Sequence, residues 1–539
     1  MNLFRRIAAA TGAAVGMFRA TAKAAASSLR DFKGEEISRL TMDWVTNVLK
    51  ADREIRRSAR RLRGRARDLR RNVDLVDHFA ELIAENVIGP EGIKLRSKVR
   101  LAGVPVTVGP GSRAPLNRPL NAAIEAAWNC WASCPVTVDG RMNLVELQRL
   151  LVETVAIDGE VFVRRYVGFD NDFGFALQVI DADQVDEYLN VGPGKGQNEI
   201  RMGIEVDLLG KPLAYHVWVG TTPFDEGYAQ RQRIPAEEIY HLMRPKRPNQ
   251  TRAVTWLAPV MFGLRMLQGY IEAELVAART AAAKMGFFES QPGTEGESLG
   301  AASTDEDGKP LPLELDAAPG TFTDLPFGKT LKSWDPQHPN TAFDGFVRAI
   351  LRMIASGLGV SYHSLTGDLT QVNYSSIRAG LLAEHDHYRR LQHWWVGIFL
   401  ERVYADWMST ALLAGKIPSA SRLPDEYLEH KWTPRGWPWV DPLNDVQSSA
   451  LAIGHGLGSR ANALAEQGLD LEEIFEELAQ EKALASEYGI ELAPPPGQVT
   501  PRQPGPGEQP AAGDAAGTGN GNGNGNGRGH PPNRLPAGV

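Results

Sequence analysis

Between Ile55 and Val87, apolar residues recur at spacings of four and three without a break: Ile55, Ala59, Leu62, Ala66, Leu69, Val73, Val76, Ala80, Ile83 and Val87. Only a helix, or two in tandem, brings such positions onto one stripe. At about 1.5 Å per residue the element would run for about 50 Å. Gly64 should weaken it by about 1 kcal/mol against alanine and mark a bend. Gly89-Pro90 ends it. The same stretch concentrates charge: residues 53–71 hold ten arginines against Glu54 and Asp68, a balance of +8. The whole chain of 539 residues is at −7, which leaves −15 elsewhere. A basic block in an acidic chain has two readings. The arginines meet phosphate or other anionic partners, or their stems cover apolar surface while their heads pair with a neighbouring acidic subunit. So regular a seam favours packing.

The rest of the chain is built to fold. A hydrophobic fraction of 43% against 23% charged residues supports a core, and the length suits roughly three or four domain-sized units. Residues 93–118 read as short strands and turns. Helices are predicted over 119–134, ending at Pro135, and over 143–157, capped by Asn143. The period then changes to two, with strands expected at 159–167, 175–181, 204–208 and 213–219, so 159–243 is a mainly β unit. A long helix over 256–285, with Pro259 in its first turn, comes next. Residues 290–310 are rich in Gly, Pro, Ser and Asp, and strand-like pieces at 311–315 and 321–325 follow them. Helix resumes near 341, where Thr341 and Asp344 have capping-box spacing, and runs to Gly357. Gly357, Gly359 and Gly367 bracket a loop over 357–373. An aromatic-rich helix over 374–413, an irregular Pro-rich stretch over 418–442 and helix over 444–489 complete the order. Beyond Pro494 the Gly-Asn tail cannot bury enough apolar surface to order itself.

Several features invite chemistry and fail its requirements. Gly328-Lys329-Thr330 imitates a phosphate-binding loop, but Thr323 stands where a glycine is needed and no helix pattern follows. Gly192-Pro193-Gly194-Lys195-Gly196 reads as a surface turn. His385, His387 and His393 do not share a helical face at metal-ligand spacing. Cys130 and Cys134, at C-x3-C spacing, read as small, mostly buried helix residues in a reduced setting. The Arg5–Met17 region is too broken for a secretory signal. The most apolar stretch, 256–284, is interrupted by Arg265, Glu272, Glu274 and Arg279, so no membrane span is expected. No catalytic residue, metal ligand or cofactor is expected.

Several segments resemble the lambda-type phage portal family: Arg141-Met142-Asn143 with Leu147-Gln148-Arg149-Leu150-Leu151, Asp158-Gly159-Glu160-Val161-Phe162, and Arg244-Pro245 through Gln250-Thr251-Arg252 to Trp256-Leu257-Ala258-Pro259. The most specific are Thr366-Gly367-Asp368-Leu369 and Asn373-Tyr374-Ser375-Ser376-Ile377-Arg378-Ala379-Gly380-Leu381. The resemblance extends over roughly 40–490. It implies an α+β portal fold: a mobile N-terminal arm (1–40), a wing (41–255) containing the β unit, stem helices (256–285 and 341–357) around a small clip (286–340), and a channel loop (358–373). A long channel helix with the Pro-rich segment (374–443), a helical crown (444–493) and a disordered tail (494–539) follow.

By that resemblance the chain is a structural subunit, not an enzyme. It would assemble with its own copies as a closed ring of about twelve, through which double-stranded DNA passes without sequence preference. The expected partners are the large terminase subunit, head-completion or adaptor proteins, and the major capsid or scaffold protein. No membrane partner is implied. Its place would be a capsid vertex of the virion, after assembly in the bacterial host cytoplasm. The implied channel-loop residues are Gly359, Gly367, Asp368, Asn373, Tyr374 and Ser375. Arg348 and Arg352, one helical turn apart, face DNA or pair with carboxylates of the next subunit. Competing readings are a packaging ATPase-nuclease, which the failed phosphate loop opposes, and another capsid-associated head-completion protein.

Overall fold

The structure, a computed structural model, describes residues 48–101, 116–194, 196–220, 230–282, 286–290, 329–333, 342–370, 374–418, 425–437, 442–469 and 471–490, with a few isolated positions from 39 to 46. The N-terminal arm, the strand-like pieces at 311–315 and 321–325, Gly328, Thr341, Asn373 and the tail beyond 494 lie outside the described residues. The chain divides into two units, Met1–Leu471 and Glu472–Val539.

The apolar seam is two helices, α1 (Ala51–Asn72) and α2 (Asp74–Val87). Gly64 passes through α1 without ending it, and the break falls at Val73, whose backbone is extended (φ −131°, ψ 107°). Charge explains the position. Arg70 and Arg71 close α1 and Asp74 and Asp77 open α2, each sign where the helix dipole favours it. Arg70 Nε donates to Asp77 Oδ1 at 3.3 Å across the joint. Gly64 is exposed, so the packing of the opposite face outweighs its weak propensity.

Helix α2 buries Val76, Phe79, Ala80, Ile83, Ala84 and Val87 against α4 and the long α8 defined below. Strand β1 (Lys94–Ser97) follows, then α3 (Arg118–Ser133) and α4 (Leu144–Asp158). Asn143 caps α4, as the sequence predicted, and Glu146 adds a bond back to the Asn143 N–H. Trp128 and Trp131 of α3 enter an aromatic cluster in which Trp128 meets Trp407 edge-on at 5.0 Å. Cys130 on α3 and Cys134 just past its end are free and exposed rather than buried. The two tryptophans already take the inward positions.

The β unit is two antiparallel sheets. Strands β2 (Glu160–Val167), β3 (Phe175–Ile180) and β8 (Ile239–Met243) form one, with β2 central. The other is a meander of β4 (Glu199–Arg201), β5 (Ile204–Val206), β6 (Pro212–Val219) and β7 (Gln230–Pro235). A second core of Phe162, Ile180, Val185, Ile204, Tyr215, Val217 and Ile234 joins them. Leu208, assigned to an alternating strand by its sequence, is fully exposed. The Asp207 side chain accepts from the Leu209 and Lys211 N–H groups and turns the chain first.

Helix α5 (Met261–Ala282) starts later than expected: residues 256–260 form turns, and Pro259 stands ahead of the helix. Strands β9 (Gly286–Ser290) and β10 (Lys329–Ser333) pair antiparallel, so Lys329-Thr330 enters a strand and not a helix. Helix α6 (Phe343–Leu358) begins without a side-chain cap; Asp344 pairs instead with Arg348, at 3.0 Å. A short helix α7 (Tyr362–Thr366) occupies the supposed loop. Helix α8 (Tyr374–Trp395), a π turn (Val396–Leu400) and α9 (Glu401–Leu413) then run on without interruption. Strand β11 (His430–Thr433), in the stretch read as irregular, pairs with β1. Helices α10 (Pro442–Gly454) and α11 (Arg460–Glu466) complete the first unit. In the second, α12 (Leu471–Glu487) supplies nearly all the described residues.

Candidate functional site

The frame of the site is a buried charge centre that the sequence did not announce. Glu160, the first residue of β2, is fully buried. Its Oε1 accepts from Arg252 Nε at 2.5 Å and lies 3.7 Å from Arg63, while Oε2 meets His241 Nε2 at 2.9 Å and the Ala253 N–H at 3.1 Å. Burial alone would raise the Glu160 carboxyl. Arg252, His241 and Arg63 overcome it and hold the group at about 2. Arg252 spends its other donors on the Met202 and Ala182 carbonyls, both at 2.9 Å. Burial pushes His241 down, against the pull of Glu160.

Around this centre the inward arginines of the block find their acids within the same chain. Arg63 pairs with Asp183. Arg67 binds Asp158 at 2.6 Å, Asp181 at 2.8 Å and Asp183 at 2.6 Å, and Arg70 binds Glu153 at 2.6 Å. The stripe therefore holds a buried arginine, Arg63, while Leu62 is only half-buried. No apolar periodicity can signal that, because the partners come from β2 and its neighbours. Asp158-Gly159-Glu160 is thus a packing device. Gly159 adopts φ +97°, and a Cβ there would lie 2.3 Å from the Val254 carbonyl carbon.

The 358–370 segment is anchored to this body. Gly359, at φ +78°, ends α6, with the His387 ring 3.2 Å from where a Cβ would stand. Ser361 caps α7 by accepting from the Ser364 N–H at 3.0 Å. Glu384, buried on α8, accepts from the Ser361 N–H (3.2 Å), the Ser364 hydroxyl (2.7 Å) and the Tyr388 phenol (3.0 Å). From α2, His78 Nε2 reaches the Ser364 carbonyl at 3.0 Å. Behind the segment, a Cβ on Gly357 would lie 2.4 Å from Val260 Cγ1, so α6 meets the start of α5 closely.

Gly367 at φ +68° closes α7 and sends the chain outward. Asp368 then organises the turn: its carboxylate accepts from the Tyr362 phenol at 2.7 Å and from the Thr370 hydroxyl and N–H at 2.6 and 2.9 Å. Those bonds to Thr370 and Tyr362, helped by Arg348 3.7 Å away, hold Asp368 well below the usual carboxylate range. Leu369 beyond it is exposed. Arg348 is thus committed to Asp344 and Asp368, and Arg352 lies 5.5 Å over the Tyr362 ring while remaining exposed. Tyr374 and Ser375 open α8 by their backbone. The structure therefore brings Gly359, Gly367, Asp368, Arg348 and Arg352 into one neighbourhood. The anchors Glu384, Ser361 and His78 escaped the sequence reading, although Ser361 before a Tyr-His-Ser-Leu-Thr-Gly run is a legible cap.

The arrangement positions a turn; it does not assemble a nucleophile and base. Among the described residues no group of three or more His, Cys, Asp or Glu is placed to hold a metal ion, and no helix is long and apolar enough to cross a membrane.

Comparison with known proteins agrees with the resemblance. A family profile described as phage portal protein, lambda family, matches residues 38–392. The probable portal protein of Halomonas phage phiHAP-1 is 33% identical over 480 residues, covering 86% of this chain and 88% of that protein. Portal protein B of Escherichia phage lambda is 24% identical over 451 residues, 77% of this chain and 82% of that one. Among solved structures, a chain from the neck of an empty gene transfer agent particle aligns at a TM-score of 0.41 and 15% identity, covering 75% of this chain and 93% of its own. A family match over residues 38–392, together with a relative 33% identical over most of both chains, means that the chain belongs to the lambda family of phage portal proteins.

Proposed function

We propose that the chain is one subunit of a ring-shaped portal at a capsid vertex, a structural conduit through which double-stranded DNA is packaged and ejected. The observation that carries the reading is an apolar surface that the described residues of its own chain leave largely open. Phe262 and Met266, one turn apart on α5, and Phe346 and Met353, two turns apart on α6, are all at least half exposed. Single exposed apolar residues are ordinary, but four on two helices that pack together describe an unfinished face. Copies of the same chain in a closed, head-to-tail ring of about twelve would cover it. In that assembly α5 and α6 act as stem, the β9–β10 pair as the base of the clip, the body up to residue 255 as the wing and 444–493 as the crown.

The 358–373 turn is then the element facing the passing duplex. Held by Glu384 at one end and by Asp368 at the other, it offers a shaped backbone rather than free cations. That suits a conduit, since every phosphate neutralised adds affinity, and a firm contact multiplied round a ring would stall sliding. Terminase, adaptor and capsid or scaffold proteins are the partners this role requires. Negative-stain images of purified protein test the reading: stout rings with a central hole are expected, and a strictly monomeric preparation at every concentration would overturn it. Shortening 366–373 should leave rings intact and impair packaging or retention of DNA; full packaging would remove the turn from the channel.

A further inference from the structure

Helix α1 has a second face, which none of the preceding roles uses. While Arg63, Arg67 and Arg70 point at their own acids, Arg53, Arg57, Arg61 and Arg65 form an exposed row at successive i, i+4 positions, with Arg56 beside it. One helical turn separates each from the next, so the row extends for about 18 Å. The Arg61 guanidinium donates to the Arg57 carbonyl at 3.2 Å, and none of the five has a carboxylate partner among the described residues. The acids close by are already engaged: Asp52 with Thr251, Glu54 with Arg247, Asp68 with Asn72 and Glu187 with Arg60 and Arg63. Like charges at this spacing work against a helix, so the row is not there for the helix's sake.

We propose that this row is a second DNA-binding site, on a different helix from the channel turn, taking the phosphate backbone of double-helical DNA without reading its sequence. Two features favour a polyanion over a second copy of the chain. Between Val48 and Leu101 no large apolar side chain is exposed, whereas contacts between proteins are anchored by buried aromatic and aliphatic groups. Every cation in the row is arginine, whose planar fork meets phosphate oxygens two at a time. Such contacts are sequence-independent and salt-labile. A ring would repeat the row in every subunit, but the contact itself does not require the ring.

The test is the salt dependence of binding, read by fluorescence anisotropy of a short labelled duplex with the full-length chain. Replacing Arg53, Arg57, Arg61 and Arg65 together by glutamine should flatten the slope of log K against log salt by about 3 to 4 per subunit, at about 0.9 per phosphate contact. At moderate salt the affinity should fall at least tenfold, with circular dichroism and ring images unchanged. The same four positions changed to lysine should retain the slope. An unaltered slope in the glutamine variant overturns the proposal. So does loss of rings with binding intact, which would make the row a contact between copies. A monomeric preparation that still shows the full slope would sink the ring and leave this site standing.

Discussion

Helices α1 and α5 are each 22 residues long and begin in the same half of the chain, yet they solve opposite problems. The inward face of α1 carries charge that is neutralised within the chain, down to a buried arginine on a buried glutamate. The exposed face of α5 carries Phe262 and Met266, which the described residues leave more than half open. The inward face of the first helix is satisfied within the subunit, whereas the second would be covered only in the proposed ring. Charge satisfied internally fixes one geometry, because desolvated ions tolerate few arrangements. Apolar surface left bare transfers its stabilisation to the contact that covers it.

That contrast can be broken at its strongest point first. Glu160→Ala leaves Arg252 and Arg63 buried around a vacated centre and should cost about 3–5 kcal/mol in urea unfolding; a loss below about 1 kcal/mol would mean that packing, not charge, completes α1. Acid makes the same attack without mutation. The Glu160 carboxyl, at about 2 against an ordinary 4.5, contributes about 3 kcal/mol above pH 4.5, and this is lost as pH falls towards 2. His241, held below its usual value, adds to the loss as the unfolded chain takes up a proton there first. Unfolding midpoints from pH 7 to 3 should drop accordingly, and Glu160→Gln should flatten the profile.

A third test removes a backbone requirement of the same frame. Gly159→Ala forces a Cβ into the Val254 backbone from a left-handed conformation and should cost at least about 2 kcal/mol, read as a lower melting temperature. The smallest effect on the subunit belongs to the other helix. Phe262→Ser with Met353→Ser should change subunit stability by no more than about 0.5 kcal/mol, because both side chains are exposed. Their effect should appear in native mass spectra as rings giving way to free subunits. Equal damage to fold and assembly would erase the distinction.

What was legible in the sequence follows the same division. Periodicity found α1, α2, α4, the strands around β2 and the run from α8 to α9, because each buries one side in register with its own period. The joint at Val73 was hidden by an unbroken apolar stripe, although the switch from Arg70-Arg71 to Asp74 recorded it. Pro259 suggested too early a start for α5, since turns can use a proline as readily as a helix can. In the 358–373 segment Gly359, Gly367 and Asp368 stood out through their backbone chemistry. Glu384 did not: a glutamate in a helical run looks like any solvated one until Ser361, Ser364 and Tyr388 are brought to it from elsewhere. Arg63 and Glu160 were unreadable for the same reason, since long-range pairing leaves no local trace.

The pairing of β1 with β11 has a consequence for biosynthesis. Lys94 faces Thr433 and Ser97 faces His430, partners about 340 residues apart. While the ribosome is still making everything between them, the outer edge of β1 has no strand to receive it, and loop closure over such a distance is slow. A nascent portal subunit therefore carries an open hydrogen-bonding edge for most of its own translation, and only the last fifth of the polypeptide closes it. Products that stop short of His430 should be held by chaperones or aggregate rather than join rings, which would keep defective subunits out of the capsid.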